Sequence, residues 1–218
     1  LIHKLRMKLY KYMSLSTAIH VLKNKSIRFT PPSLFNDPFE VLPNISIPNS
    51  ITTKKEETKT RELYKRIANL LPTTGDISAQ RTKELLDHFN NITENTQIDP
   101  FYILGEETRI FNILHTLRNY FGVLCLSESR DSVLMWSHYA DNHCGVVLEI
   151  DVAESLPKEC LDEKCFKVKY KQLPPNKTWA NFSIEDLFIN KGYSWKYEKE
   201  QRLIIPLHKL SNYKANQN

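Results

Sequence analysis

The sequence predicts an α+β fold: a mixed or split β-sheet built from both chain ends, with a helical insertion within it. Three observations carry that expectation. Segments of strand composition stand near both ends of the 218-residue chain, and helical periodicity dominates the stretch between them, from 54 to 120. The third is the shortage of glycine: only five occur, at 75, 105, 122, 145 and 192, so neither GxGxxG nor GxxxxGK[ST] can be written anywhere. A Rossmann dehydrogenase or P-loop nucleotidase is therefore not expected. With 41% hydrophobic and 25% charged residues the chain can bury a core, and one α+β domain over residues 7–210 is expected, with 54–120 as the insertion.

KLYKYM at 8–13 has strand composition. SLSTAIHVLKNKS follows with a Ser cap and with Ala18, Ile19, Val21 and Leu22 at helical spacing. IRFT at 27–30 alternates as a half-buried strand should until Pro31 and Pro32 stop it, and Asn36-Asp37-Pro38 signals a turn. Three helices are then marked by Leu63, Ile67, Leu70 and Leu71, by Leu85, Leu86 and Phe89, and by Ile110, Ile113, Leu114 and Leu117. Strands resume with GVLCLS at 122–127, and a helix is expected over SVLMWSHYADNH at 132–143. GVVLEID at 145–151 and KCFKVKY at 164–170 read as strands, FSIEDLFINKG as a short helix, and Trp195 to Leu207 as a final strand.

Charge is uneven. Residues 1–30 hold seven Lys/Arg and no acid, 119–163 hold two basic residues against nine acidic, and 164–218 hold eleven against four. Such blocks either neutralise one another on folding or form a basic face for nucleic acid or a nucleotide's phosphates. No apolar stretch approaches the roughly 20 residues that cross a bilayer, and LIHKLRMKLYKY lacks a signal peptide's apolar core, so a cytoplasmic location without membrane contact is expected. Reduced thiols are expected for the four cysteines, and CLDEKC lacks the second half of a structural zinc site.

GxSxG, HExxH and EF-hand signatures are missing from the sequence. Four polar clusters remain: YKY at 10–12, FNDPFE at 35–40, MWSHYADNHCG at 135–145 and WKYEKEQR at 195–202. In the third, helical spacing puts Met135, Tyr139 and Asn142 on one side with Trp136 and Ala140 beside them, and His138 with Asp141 on another. Trp136 and Tyr139 either pack as core or stack on a heteroaromatic ligand; His138 and His143, five apart, do not share a helical face. In the fourth, strand periodicity puts Glu198, Glu200 and Arg202 on one face and Tyr197, Gln201 and Leu203 on the other. The acids are then either a solvated strand face or a carboxylate pair beside a pocket. Asp37 and Glu40 are open between turn and site.

The order YKY, NDPFE, CLSES, MWSHYADNHCGVVLEID, WKYEKEQR resembles a widespread bacterial family catalogued as domain of unknown function 2971, over nearly the whole chain, with 54–120 variable. That family is similar in element order to the ADP-ribosyltransferase-like superfamily, whose site joins a polar or aromatic residue on the first strand, a later aromatic and a late glutamate. The resemblance implies an ADP-ribosyltransferase-like fold and an enzyme moving ADP-ribose from NAD to a protein or nucleic-acid acceptor, as a toxin or in phage defence. NAD would be a substrate and no metal would be used. Carried onto this chain, the resemblance makes Glu200 the late glutamate, Glu198 the first acid of a Glu-x-Glu pair and Tyr139 the holder of the nicotinamide ring. Tyr10 or Tyr12 takes the first-strand place, and Asn36, Asp37, Trp136, His138, His143 and Arg202 join the NAD-binding residues. The chain departs from the best-known pattern in having no His or Arg in YKY and no Ser-Thr-Ser triplet. A non-catalytic module binding a nucleotide or nucleic acid through the basic ends is the alternative, and a metal-independent nuclease or hydrolase using His138 or His143 a third reading.

Overall fold

The computed structural model describes residues 7–37, 40–41, 45–46, 54–71, 80, 82–84, 86, 100–152, 160, 164–172, 177–178 and 181–210. Along the chain the elements run β1 (Lys8–Met13), α1 (Leu15–Asn24), β2 (Ile45–Ser46), α2 (Lys54–Leu70), α3 (Pro100–Tyr120), β3 (Phe121–Ser127), α4 (Val133–Tyr139), β4 (Val146–Asp151), β5 (Cys165–Lys167), β6 (Lys169–Lys171), β7 (Lys177–Thr178), α5 (Ile184–Ile189), β8 (Asn190–Gly192), β9 (Glu200–Pro206) and α6 (Leu207–Leu210), with 3₁₀ turns at Pro32–Leu34 and Tyr193–Glu198. The chain divides into two units, one of residues 1–30, 122–173 and 189–218, the other of 31–121 and 174–188. Helix and strand are mixed, as expected of an α+β chain.

In the first unit five strands form one sheet in the order β4-β1-β3-β9-β5. Strands from near both ends thus share a sheet through β3. β1 is antiparallel to both neighbours, with Tyr10 opposite Ser127 on one side and Glu149 on the other, and β5 is antiparallel to β9. The parallel pairs lie in two small sheets: β6 with β8 in the first unit, and β2 with β7 in the second. Strand alternation gives the large sheet two different faces. One carries Leu9, Leu124, Leu126, Leu203 and Ile205, packed with Phe29, Val152 and Cys160. Each such side chain contributes about 1.5–3 kcal/mol by leaving water. The other face gathers Tyr12, Met135 and Ala140, flanked by Tyr10, Trp136, Tyr139, Val147 and Tyr197.

α1 begins as its sequence requires, with the Thr17 N–H donating to the Ser14 hydroxyl, and ends where Lys25 turns left-handed. The strand expected at 27–30 is reduced to one bridge, Thr30 to Val123, because Pro31 and Pro32 have no N–H with which to extend a ladder. KCFKVKY breaks at the buried Val168, so that β5 joins the large sheet and β6 the small one.

The helix expected over 132–143 begins at its Ser132 cap and stops at Tyr139. Asp141, Asn142 and His143 take left-handed φ values of 50°, 50° and 69°, so Asp141 and Asn142 lie beyond the helix and share no face with His138 or Met135. Such backbone is unfavourable for side-chain-bearing residues and least so for Asp and Asn, which is why ADN can stand here. Three bonds hold the reversal: His143 N–H to the Trp136 carbonyl, Cys144 N–H to that of Asp141, and Gly145 N–H to that of Ala140 at 2.7 Å. The chain then enters β4 so close to β1 that a Cβ on Gly145 would lie 2.3 Å from the Met13 carbonyl oxygen.

The second unit takes up the helical excursion. Leu63, Tyr64, Ile67 and Ala68 of α2 are buried, as are Ile110, Ile113 and Leu117 of α3 and Ile184, Leu187 and Phe188 of α5. Phe121 and Phe188 pack with ring centroids 5.2 Å apart. An ion pair joins Arg66 to Glu185, and the buried hydroxyls of Thr82 and Thr116 satisfy each other at 3.0 Å. Of the expected middle helix, Leu85 and Phe89 lie outside the described residues; Leu86 is buried, and 80, 82–84 and 86 are helical. Among the described residues no helix is long and apolar enough to cross a membrane.

Gly145→Ala must move backbone rather than a flexible side chain. It is expected to destabilise by about 1–3 kcal/mol. Gly192→Ala, whose Cβ would sit 3.6 Å from Trp195 in ordinary contact, should change stability by less than about 0.5 kcal/mol. Thermal melting of the two variants checks this, and equal melting temperatures would contradict the close approach at Gly145.

Candidate functional site

Glu198 does not belong to a strand. Residues 193–198 form a 3₁₀ turn, and Lys199, left-handed at φ 47°, turns the chain into β9, which starts only at Glu200. The single strand expected from Trp195 to Leu207 is thus replaced by a turn and a shorter strand. The reason lies in the partners: Lys199 gives its carbonyl to the Glu128 N–H, and the Ser127 hydroxyl donates to the carbonyl of Glu198 at 2.6 Å. The two carboxylates, 3% and 4% exposed, face inward, so the solvated strand face is excluded.

Both acids share one cation. Lys191, on β8, donates to Glu198 Oε2 at 2.7 Å and to Glu200 Oε2 at 3.3 Å. Arg202, wholly buried, holds Glu200 with two bonds of 2.8 Å, one from Nε to Oε1 and one from an Nη to Oε2. The other oxygen of Glu198, Oε1, accepts the Tyr139 hydroxyl at 2.6 Å. Below them the Glu200 N–H donates to the Tyr170 hydroxyl at 2.7 Å. Four formal charges cancel, which is the condition on which charges survive in an interior.

Burial pushes the Glu200 carboxyl up to about 7, with Lys191 pulling it back and the Glu198 charge adding to the rise. Burial alone would lower the Lys191 ammonium, but the charges of Glu200 and Glu198 outweigh it and raise the group above its ordinary range. Burial, reinforced by Glu200, holds the Cys125 thiol well above the usual thiol range. That thiol therefore stays protonated and is not an activated nucleophile.

Aromatic side chains stand over the cluster. Trp136 meets Tyr12 edge-on with centroids 5.7 Å apart and donates its Nε1–H to the Arg130 carbonyl. His138 Nδ1 and the Tyr197 hydroxyl are 2.8 Å apart, and Trp195 lies 6.1 Å from Tyr197. Tyr10 is half-buried and its hydroxyl reaches Glu149 at 3.3 Å, whereas Tyr12 is buried and gives its hydroxyl to the Ser129 carbonyl.

Of the residues expected at a site, Tyr10, Tyr12, Trp136, His138, Tyr139, Glu198, Glu200 and Arg202 belong to the first unit and to this cluster or the rings beside it. Arg202 is occupied with Glu200 rather than turned outward. His143 is exposed and left-handed, and its N–H secures the turn after α4. Asn36 and Asp37 fall in the second unit. There the Glu40 N–H donates to the Asp37 carbonyl, as in a turn, and Pro38 lies outside the described residues. The sequence reading missed Lys191, Tyr170 and Cys125. A lysine two residues after the apolar Phe188-Ile189 and shortly before an acid pair is the one signal that could have pointed to Lys191. Among the described residues no three His, Cys, Asp or Glu are grouped to hold a metal ion.

A carboxyl raised from about 4.5 to about 7 binds its proton more tightly in the folded chain than in the unfolded one. Its contribution to stability is therefore complete below pH 4.5 and declines as pH rises to 7. The melting temperature of the wild type relative to Glu200→Gln should fall across that window, and a pH-independent difference would contradict the assignment. Lys191→Met leaves two buried carboxylates facing each other and should cost about 3–5 kcal/mol, part of which Lys191→Met/Glu200→Gln should recover in a denaturant-unfolding cycle.

No curated protein and no solved structure matches the chain. A family model does, over residues 135–203, a stretch that runs from α4 into β9 and holds Tyr139, Lys191, Glu198, Glu200 and Arg202. That model is described as "Protein of unknown function (DUF2971)", and residues 135–203 are similar to it.

Proposed function

We propose that this chain is an ADP-ribosyltransferase-like enzyme that breaks the bond between nicotinamide and ribose in NAD and passes ADP-ribose to a macromolecular acceptor, protein or nucleic acid, in a toxin or phage-defence setting. The observation that supports it is the bond from the Tyr139 hydroxyl to Glu198. It joins a half-buried aromatic surface to a buried carboxylate, the combination that a flat, positively charged leaving group on a sugar requires.

Glu198 is the better placed of the two acids. One of its oxygens is held by Lys191 and the other only by a phenol, whereas Glu200 is clamped by a guanidinium. A ribose hydroxyl that takes the place of Tyr139 would put the Glu198 charge beside the anomeric carbon. The carbon–nitrogen bond then breaks with its electron pair leaving on nicotinamide, and the carboxylate stabilises the positive charge left on the ribose. The acceptor's nucleophile forms the new bond at that carbon and releases a proton to solvent. Trp136, steadied by Tyr12, and Tyr197, steadied by His138, supply ring faces for the nicotinamide. Glu200, Arg202 and Lys191 hold Glu198 in place.

One observation favours a second reading, a non-catalytic nucleotide-binding module. Each carboxylate is already satisfied by Lys191, Arg202 and Tyr139 without any ligand. Incubation with NAD labelled in its adenylate, followed by nicotinamide release and label on macromolecules, separates the two. Glu198→Gln is expected to slow nicotinamide release about 10²- to 10³-fold, equivalent to about 2.7–4 kcal/mol, while far-UV circular dichroism stays that of the wild type. No release and no labelled macromolecule from the wild type would remove the transferase reading, and NAD binding unaffected by Glu198→Gln would then favour the module.

A further inference from the structure

The small parallel sheet β6–β8 has two faces of opposite purpose. Its register pairs Lys169 with Asn190, Tyr170 with Lys191 and Lys171 with Gly192. Tyr170 and Lys191, side by side, turn inward to Glu198 and Glu200. By strand alternation Lys169 and Lys171 turn the other way, on a face that Gly192 leaves flat. The 3₁₀ turn that follows β8 adds Tyr193, 51% exposed, with the Lys196 ammonium 5.1 Å from its ring centroid.

Charge on this surface is one-sided. KCFKVKYK at 164–171 and NKGYSWKYEK at 190–199 together hold seven lysines and one acid, and that acid, Glu198, is buried against Lys191. No described carboxylate makes an ion pair with Lys169, Lys171 or Lys196, whereas Lys167 pairs with Glu128 at 2.8 Å. The first unit as a whole carries 19 Lys/Arg against 11 Asp/Glu, and the second 11 against 14. The basic excess is therefore confined to the unit that holds the candidate site.

We propose that the outer face of β6–β8, with Tyr193 and Lys196, is a docking surface for single-stranded nucleic acid, and that nucleic acid is the acceptor class. The second clause rests on the transferase reading; the first does not. Lys169 and Lys171 stand two residues apart on one strand, about 6.6 Å, comparable with successive phosphates along an extended single strand. Tyr193, with Lys196 beside it, gives a base a ring to stack on, and lysines beside aromatics are the combination by which sequence-tolerant single-strand binders work. The spacing of the two lysines is what favours a strand of phosphates over an anionic membrane, which would engage the same lysines without regard to their spacing.

Fluorescence anisotropy of a labelled twelve-nucleotide oligo(dT) or oligo(U), titrated with the full chain in the absence of NAD, tests the surface. Affinity should fall steeply with salt, and Lys169→Ala/Lys171→Ala should make the log–log salt slope shallower by about 1.4, about 0.7 for each phosphate no longer neutralised. Tyr193→Ala should weaken binding roughly 5- to 150-fold with the slope unchanged. Lys169 and Tyr193 are exposed and Lys171 is half-buried, and unchanged circular dichroism confirms that the variants fold. Absence of binding at 50 mM salt, variants that bind as the wild type does, or binding to phosphatidylserine vesicles but not to oligonucleotide would each overturn the surface. Nicotinamide release is read separately. Binding without release removes the transferase reading and leaves the surface standing, while release with no oligonucleotide binding removes the surface alone.

Discussion

Everything near the candidate site depends on how two glutamates are kept inside the protein. An isolated carboxylate in an interior would cost several kcal/mol in lost hydration, so each must be met by charge and by hydrogen-bond donors. Lys191 meets both, Arg202 clamps one, and Tyr139 completes the other. These partners come from β8, β9 and α4, and the bonds of Ser127 and Tyr170 tie β3 and β6 to the same place. Hydrophobic residues of similar volume would hold those elements together about as well. What the ions add is position: a Lys that must reach two acids at once fixes the register of β8 against the start of β9 more narrowly than apolar packing does.

The left-handed turn after α4 serves the same end. Three consecutive residues with positive φ are unfavourable, and the offsetting bonds come from the carbonyls of Trp136, Ala140 and Asp141. The turn stops the helix at Tyr139 and sends the chain into β4 past Gly145, so that Tyr139 ends the helix within reach of Glu198 and Trp136 sits on Tyr12. ADNHCG is thus a backbone device, and its specificity lies in residues that tolerate left-handed backbone and in a glycine that has no room for a methyl group.

Most strands and helices could be read from the sequence because their periodicity is local: β1, α1, β3 and β4 lie where alternation and capping put them. Expectations fell short where a distant partner decides. Trp195 to Leu207 has strand composition throughout, yet the need to point Glu198 and Glu200 at the same lysine turns its first part into a 3₁₀ turn. KCFKVKY looks continuous, but Val168 is buried between two different sheets. That Tyr139, Glu198 and Glu200 belong together was implied by the family resemblance alone, since strand spacing left the two acids open between a solvated face and a carboxylate pair. Lys191 was not legible, since a single lysine between a helix and a turn reads as solvated until its carboxylates are found.

A fully satisfied cluster has a consequence for any ligand that enters it. A hydroxyl that replaces Tyr139 on Glu198 exchanges one hydrogen bond for another of the same kind, so that exchange adds little net affinity. Binding free energy must come from elsewhere, and the rings of Trp136, Tyr197 and Tyr10 are the apolar area on offer. On the transferase reading we propose, the Glu198 charge is matched by Lys191 before the ligand arrives, and its interaction with the ligand would strengthen when positive charge develops on the sugar. On the proposed transferase reading the labour would divide physically: rings for binding, a pre-set acid for the charge that appears during reaction, and buried cations to keep that acid where it is.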